Sequence, residues 1–179
     1  MLAREAAHQL GLERVLIVPV AEAPHRRIDL EPGPAVRLEM VTAAAAGDDV
    51  LVPSAIEVER EGPSYTFRTL ELLHDERPSD EFTLILGADA AAGLGSWREP
   101  QRVLEGAAVA VAGRPGTALE RALDAIANLG TEPAAAVITM PELDISSSGL
   151  RQRVGSGRSI RYLTPEPVRA LICERGLYR

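Results

Sequence analysis

Residues 82–89 read Phe-Thr-Leu-Ile-Leu-Gly-Ala-Asp, an unbroken apolar run that ends in a glycine and a carboxylate. Such a run is typical of a β-strand buried on both faces, as in a parallel sheet covered by helices. Ligands of these sheets bind beyond the carboxyl ends of the strands. Gly87 admits a close approach to the backbone, and Asp89 can accept hydrogen bonds from ribose hydroxyls. The same residues are equally compatible with a turn in which Asp89 caps a helix.

Further apolar runs alternate with helical patterns on both sides of this strand. Strands are predicted at 15–18, 82–86, 107–111 and 135–139, with one interrupted strand over 50–52 and 55–58. Helices are predicted at 2–10, 35–46, 64–74, 117–128, 146–154 and 165–174, and Ser64 is expected to cap the third of them. The alternation predicts an α/β fold with a doubly wound parallel sheet, in a single domain spanning 1–179.

Composition narrows the class of protein. The chain has 179 residues, of which 46% are apolar, and a formal net charge of −7. The acidic balance is unlike that of a general nucleic-acid binder, which would carry a basic excess. No stretch is apolar for long enough to form a membrane-spanning helix. The single cysteine, Cys173, excludes an intramolecular disulfide framework and a cysteine-based zinc site, and it favours a reducing, cytoplasmic compartment.

A second candidate contact lies in Ile145-Ser-Ser-Ser-Gly-Leu-Arg151, where three hydroxyls precede a helix and an arginine follows one turn later. The unpaired N–H groups and the dipole at a helix start attract anions. Hydroxyls and a guanidinium add directed donors for phosphate oxygens. Ser146, Ser147, Ser148 and Arg151 are therefore candidate phosphate contacts, although an ordinary serine cap with a surface arginine explains the same residues.

Three further segments carry candidate ligand contacts. Tyr65 and Thr66 open a predicted helix, where they either bind a ligand or only belong to its cap. Trp97, the only tryptophan, lies in a glycine-rich stretch, where its ring either stacks on a planar ligand or anchors the loop on the core. His25 follows the first strand beside two arginines, which suits phosphate contact, but a lone loop histidine is more often simply exposed.

In this order, the motifs resemble those of the bacterial nicotinate-nucleotide adenylyltransferases from one end of the chain to the other. Each motif is weak alone, and the ordered set is specific. The matching segments are Val18–Pro19, Ala23–Arg26, Gly62–Leu70, Ile85–Asp89, Ser96–Trp97, Gly113–Pro115, Asp144–Arg151, Gly157–Pro165 and Gly176–Arg179.

The resemblance implies a nucleotidyltransferase version of the doubly wound fold. It also implies a reaction of ATP, with Mg²⁺, and nicotinate mononucleotide that gives nicotinate adenine dinucleotide and pyrophosphate. By the same resemblance, Ser146, Ser147 and Arg151 hold the ATP phosphates. Gly87 and Asp89 lie along the nucleotide, with Asp89 at a ribose.

The remaining implied contacts concern the other substrate. By resemblance, Trp97 and the segment around Tyr65 and Thr66 frame the nicotinate ring, and His25 lies near phosphate. The family motif ends in Ser-Thr where this chain has Ser147-Ser148, which keeps the hydroxyl. Whether the protein forms a homo-oligomer is left open.

One departure from the family is large. Family members begin with a strand that leads into Gly-x-Phe-x-Pro-x-His-x-Gly-His, whose histidines bind the reacting phosphates. The histidines of this chain are His8, His25 and His74, and no two of them form such a pair. We therefore identify no catalytic residue and expect the first strand of the sheet to be missing, with the true start of the gene product upstream of Met1.

Two alternatives stay open at this point. The first is a non-catalytic nucleotide-binding remnant of the enzyme, favoured by the absence of the histidine motif. The second is a sister adenylyltransferase of the same fold, such as pantetheine-phosphate adenylyltransferase. Trp97 and the segment Pro63–Thr66 speak against the sister enzyme because they resemble the nicotinate site.

Overall fold

A computed structural model of the chain describes residues 1–23, 32–113, 117–130, 135–141 and 143–179. Its strands are β1 Val15–Ile17, β2 Leu51–Pro53, β3 Thr83–Gly87, β4 Ala108–Ala112 and β5 Ala136–Ile138. Its helices are α1 Leu2–Leu10, α2 Pro34–Ala45, α3 Thr66–Glu76, α4 Ala88–Ala92, α5 Pro100–Gly106, α6 Thr117–Ala127, α7 Ser147–Gly155 and α8 Glu166–Glu174, with a short 3-10 helix at Leu94–Ser96.

All strand pairs within the described residues are parallel, and helices separate the strands along the chain. This confirms the predicted α/β class. The strands form two sheets, one of order β1-β2 and one of order β3-β4-β5. In the larger sheet Thr83 pairs with Ala108 and Gly87 with Ala112, so β3 and β4 end at the same edge.

The chain divides into two compact units. Unit 1 comprises Met1–Glu13 and Ser64–Pro141, and unit 2 comprises Arg14–Pro63 and Glu142–Arg179. Each unit contains one of the two sheets. That residues 1–179 form a single domain stays a prediction.

The core of unit 1 lies on both faces of its sheet. On one face, α3, α4, α5 and α6 bury a cluster that includes the fully buried Leu94, Val103 and Val111. On the other face, α1 packs Ala6 against Ala110 of β4. A strand covered on both sides needs apolar residues in every position, and this explains why β4 consists only of alanine and valine.

Unit 2 has a smaller core, built by helices. Ile160, Val168 and Ile172 are buried together, and Met40 of α2 and Leu150 of α7 pack against them. Helix α7 itself contributes no fully buried residue. This helix therefore lies at the margin of its core.

Several predicted elements differ from the structure. The segment Ala55–Val58 is a turn and not a strand, with the amide of Glu59 bonded to the carbonyl of Ala55 at 2.9 Å. Helix α3 begins at Thr66 with Tyr65 as its N-cap, so Ser64 does not cap it. The 3-10 helix and α5 were not predicted, because both are too short to show a helical period.

Candidate functional site

Gly87 and Asp89 lie at the carboxyl end of β3. The strand ends at Gly87, which is also the N-cap of α4, and Asp89 follows in the first turn of that helix. Both residues are exposed, and an added Cβ at Gly87 would meet no atom within 4 Å. The structure therefore leaves space for a ligand at Gly87. The alternative in which Asp89 caps the helix is not the observed geometry, since the cap position belongs to glycine.

Tyr65 and Thr66 form the start of α3. Tyr65 accepts the first hydrogen bonds of the helix at its carbonyl, from Arg68 and Thr69. Its ring stacks on Phe67 with 6.1 Å between the ring centroids. Tyr65, Thr66 and Phe67 are all half-buried, so this helix start presents an aromatic pair that is held in place by packing.

Trp97 directly follows the 3-10 helix and is half-buried. It packs against the core of unit 1, and its amide donates to the carbonyl of Leu94 at 3.0 Å. The next residue, Arg98, places its guanidinium over the Tyr65 ring, 5.2 Å from the centroid. The structure therefore brings the two predicted ring-binding segments together through Arg98, a residue that the sequence analysis did not select.

A second arginine, Arg102, lies over the other ring of the aromatic pair, and unlike Arg98 it has a carboxylate partner. The Arg102 guanidinium lies 4.6 Å from the centroid of the Phe67 ring and forms an ion pair with Glu71. Glu71 also accepts a hydrogen bond from Arg68 at 3.0 Å. The Arg68 hydrogen bond, followed by the charge of Arg102, lowers the pKa of the Glu71 carboxyl below its ordinary value.

In unit 2, Ser146 caps α7. Its Oγ accepts a hydrogen bond from the amide of Gly149 at 3.1 Å and lies 3.3 Å from the Oγ of Ser148. The serine-cap interpretation is thereby confirmed for Ser146. It does not exclude ligand binding, because the backbone N–H groups at Ser147 and Ser148 belong to the first helical turn, where amides lack partners within the helix. All three serines are exposed.

A cavity of about 320 Å³ lies within unit 2 beside this helix start. Ser147 and Arg151 line it together with Arg37 of α2, and apolar side chains of α2, α7 and α8 form its walls. Arg37 donates from Nη2 to the carbonyl of Ala21 at 3.2 Å, while its Nε is buried without a hydrogen-bond partner among the described residues. Arg37 is a candidate anion contact that the sequence analysis missed, because only the folded chain brings α2 beside α7.

The three arginines that follow Arg151 within residues 153–161 have local contacts. Arg153 donates to the carbonyl of Ser159 at 3.0 Å, and Arg158 donates to the Oγ of Ser156 at 3.1 Å. Arg161 lies over the ring of Tyr162. Of the four arginines between 151 and 161, Arg151 alone lines the cavity.

Two histidines of the chain lie outside the arrangements described above. His25 lies outside the described residues. His74 has a structural contact, with its Nε2 2.8 Å from the carbonyl oxygen of Gly106.

The described residues contain no cluster of three or more histidine, cysteine or acidic side chains that could hold a metal ion. In that same part of the chain, no helix has the length and hydropathy needed to cross a bilayer.

Comparison with known proteins places these observations in a family. A family model described as cytidylyltransferase-like matches residues 1–153. A protein from Roseiflexus sp. (strain RS-1) is 45% identical over 180 residues, covering 99% of this chain and 89% of its own. A protein from Rubrobacter xylanophilus is 38% identical, covering 100% of this chain and 84% of its own. Both are named "Probable nicotinate-nucleotide adenylyltransferase".

Solved structures support the fold. The nicotinic acid mononucleotide adenylyltransferase of Plasmodium falciparum, complexed with APC, matches 99% of this chain and 88% of its own, with a TM-score of 0.74 at 17% identity. The same enzyme complexed with NaAD matches 96% of this chain and 90% of its own, with a TM-score of 0.71 at 18% identity. The likeness confirms the predicted nucleotidyltransferase fold.

Proposed function

The chain belongs to the nicotinate-nucleotide adenylyltransferase family, and on that premise we propose that it transfers the adenylyl group of ATP to nicotinate mononucleotide. The products are nicotinate adenine dinucleotide and pyrophosphate, and the reaction is a step of NAD biosynthesis. The observation that carries the proposal is 45% identity over 99% of the chain to a relative of that name. Neither alternative, the binding remnant or the sister enzyme, gains support from the comparisons.

In this reaction a phosphate oxygen of nicotinate mononucleotide attacks the α-phosphorus of ATP. The bond from that phosphorus to the bridging oxygen of the β-phosphate breaks, and pyrophosphate leaves. Mg²⁺ arrives with ATP as part of the substrate and neutralises phosphate charge. Since little covalent chemistry falls to the protein, positioning and charge stabilisation are its main contributions.

For ATP we assign the phosphates to the start of α7 and to Arg151. The cap by Ser146 holds the helix start in shape, so that N–H groups at Ser147 and Ser148 point toward an incoming anion. Arg151 adds a guanidinium one turn further along. Arg37, whose Nε is buried and makes no hydrogen bond with any described residue, is a further candidate to bind negative charge in the same cavity.

Gly87 and Asp89 are assigned to the nucleoside part of ATP. Open space above Gly87 allows a close approach to the backbone, and the exposed Asp89 carboxylate can accept from ribose hydroxyls. His25 is kept as a candidate phosphate contact by resemblance alone.

Nicotinate mononucleotide is assigned to Tyr65, Thr66 and Trp97. The half-buried Trp97, anchored on the core, offers a flat face for a pyridine ring at little cost in conformational entropy. Because the 179 residues contain no His-x-Gly-His motif, we assign no catalytic histidine. The single cysteine favours a cytoplasmic location for the reaction.

Pyrophosphate release from MgATP and nicotinate mononucleotide tests the proposal directly. We expect release that requires both substrates, with a dinucleotide product that mass spectrometry identifies. ATP with pantetheine phosphate, run in parallel, tests the sister enzyme. A folded chain that binds ATP by calorimetry but releases no pyrophosphate with either acceptor would overturn the proposed activity in favour of the binding remnant.

A further inference from the structure

The two arginines on the aromatic pair of unit 1 differ in how their charges are balanced. Arg102 lies over Phe67 and is ion-paired with Glu71. Arg98 lies over Tyr65, and within the described residues no carboxylate is within 4.0 Å of its guanidinium. An aromatic face attracts a cation but does not neutralise it. Arg98 therefore offers an uncompensated positive charge where Arg102 does not.

The backbone on both sides of Arg98 is held in place. Trp97 on one side packs against the core of unit 1. Glu99 on the other side has φ 53°, a left-handed conformation that is uncommon for a residue with a side chain, and Pro100 then begins α5. Such strain persists only where the surrounding structure imposes it, and it is concentrated at functional sites. Arg98 is thus presented in a set position beside Trp97 and Tyr65.

We propose that Arg98 is the residue through which this chain selects nicotinate mononucleotide over nicotinamide mononucleotide. The inference rests on the proposed function, which assigns the pyridine ring to Trp97 and Tyr65. The two mononucleotides have nearly the same shape and differ at one ring substituent, which is a carboxylate in the first and a neutral amide in the second. Shape alone cannot separate such a pair, so selection needs a group that responds to the charge or to the hydrogen-bonding pattern of the substituent, and a guanidinium responds to both.

Arg98 responds to that difference in two ways. Both pyridine rings carry a positive ring nitrogen in the mononucleotide. The nicotinate ring system is neutral overall because of its carboxylate, and Arg98 can donate charge-assisted hydrogen bonds to that group. The nicotinamide ring system keeps its positive charge, and Arg98 repels it. One guanidinium thus favours the first substrate and disfavours the second.

Trp97 provides a direct readout, because it is the only tryptophan in the chain. We would titrate each mononucleotide into the protein, follow the fluorescence of Trp97 and compare the ratio of the two dissociation constants. In the unmodified chain we expect nicotinate mononucleotide to bind more tightly. In Arg98→Met, which keeps most of the side-chain length, we expect that ratio to fall about tenfold, mainly through weaker nicotinate binding.

Two variants serve as controls. Arg102→Met removes the compensated arginine, and it should leave the ratio within about twofold of its original value, because Glu71 already balances its charge. Arg98→Lys keeps the charge and should retain part of the preference, since lysine lacks the planar fork of arginine. Raising the salt concentration should reduce the preference of the unmodified chain and have little effect on that of Arg98→Met.

The outcomes separate the two proposals. Equal preference in Arg98→Met and the unmodified chain would overturn the role of Arg98 while leaving the proposed function in place. An equal fall in the ratio of dissociation constants in Arg102→Met would also overturn it. The loss would then come from disturbing the Tyr65–Phe67 ring pair and not from removing the charge of Arg98. Failure of the unmodified chain both to bind either mononucleotide and to release pyrophosphate would overturn the proposed function and this inference with it.

Discussion

The two candidate binding regions are supported by very different amounts of buried structure. In unit 1, the Trp97 segment is flanked by Leu94 and Val103, both completely buried. In unit 2, α7 begins after its cap Ser146 and carries Arg151, yet it buries none of its own residues fully, and it borders a cavity. A region set on a dense core can hold a rigid ring in one orientation. A helix start beside open space suits a triphosphate, which is recognised by charge and N–H groups more than by shape.

The largest expected effect is the loss of stability when a core leucine of unit 1 is truncated. Leu94→Ala should destabilise unit 1 by about 3 kcal/mol, because it leaves a cavity in a fully packed cluster. Urea denaturation followed by Trp97 fluorescence measures it. Leu150→Ala is the matched change on α7, where the side chain already borders a cavity, and hydrogen exchange along α7 should show a loss of about 1 kcal/mol. Equal losses of stability in Leu94→Ala and Leu150→Ala would contradict the view that the Trp97 segment is anchored more firmly than α7.

The next effect concerns charge on unit 2. Arg151→Met should weaken ATP binding about thirtyfold, because a guanidinium that contacts phosphate contributes about 2 kcal/mol. Isothermal calorimetry with MgATP measures it. Arg153→Met, on the same helix, removes a side chain that bonds to the carbonyl of Ser159, and it should leave ATP affinity nearly unchanged. If Arg153→Met weakened ATP binding more than Arg151→Met did, the phosphate contact would belong to Arg153 and not to Arg151.

A smaller effect is expected at the helix cap. Ser146→Ala removes the acceptor for the Gly149 amide and should reduce the local stability of the α7 start by about 1 kcal/mol. Faster hydrogen exchange at Gly149 and Leu150 is the readout. Ser147→Ala keeps both hydrogen bonds of the Ser146 Oγ and is the control, so equally fast exchange in that variant would show that Ser146 is not the stabilising cap.

The smallest effect is the pH dependence that comes from two surface carboxyls, Glu71 in unit 1 and Glu166 in unit 2. Arg68 lowers the pKa of Glu71, and Arg169 lowers that of Glu166, in each case first through a hydrogen bond. A lowered carboxyl pKa contributes stability above the pKa of the unfolded chain, and this contribution is lost as the pH falls through the folded-state pKa. NMR titration should place both carboxyl midpoints below that of an ordinary glutamate. In Glu71→Gln, thermal unfolding should depend less on pH in that acidic range.

Sequence reasoning found the features that follow from local pattern. The apolar runs at β3 and β4 could be predicted because both faces are covered, and Ser146 could be predicted as a cap because hydroxyls are common at helix starts. The segment Ala55–Val58 is a turn, but its alternating apolar residues resemble those of a short strand, so the pattern alone predicts the wrong element. The predicted site residues remain proposals, although Arg98 links Tyr65 with the Trp97 segment and Ser147 lines a cavity together with Arg151.

Contacts between distant segments could not be predicted. Arg98 reaches Tyr65 across more than thirty residues of chain, and Arg37 lines a cavity with Arg151 from a helix far earlier in the sequence. Nothing in the residues around either arginine indicates these neighbours, because tertiary packing alone brings the elements together. The one local clue at Arg98 was its place between a lone tryptophan and a proline.

The bond between His74 and Gly106 links the two helices that lie beside the aromatic pair. A carbonyl oxygen can only accept, so Nε2 is the donor. His74 lies near the end of α3, whose N-cap is Tyr65, and Gly106 is the last residue of α5, which begins two residues after Arg98. The spacing between Tyr65 and Arg98 is therefore set at both ends of these helices, by the ring contact at their starts and by the histidine bond at their ends.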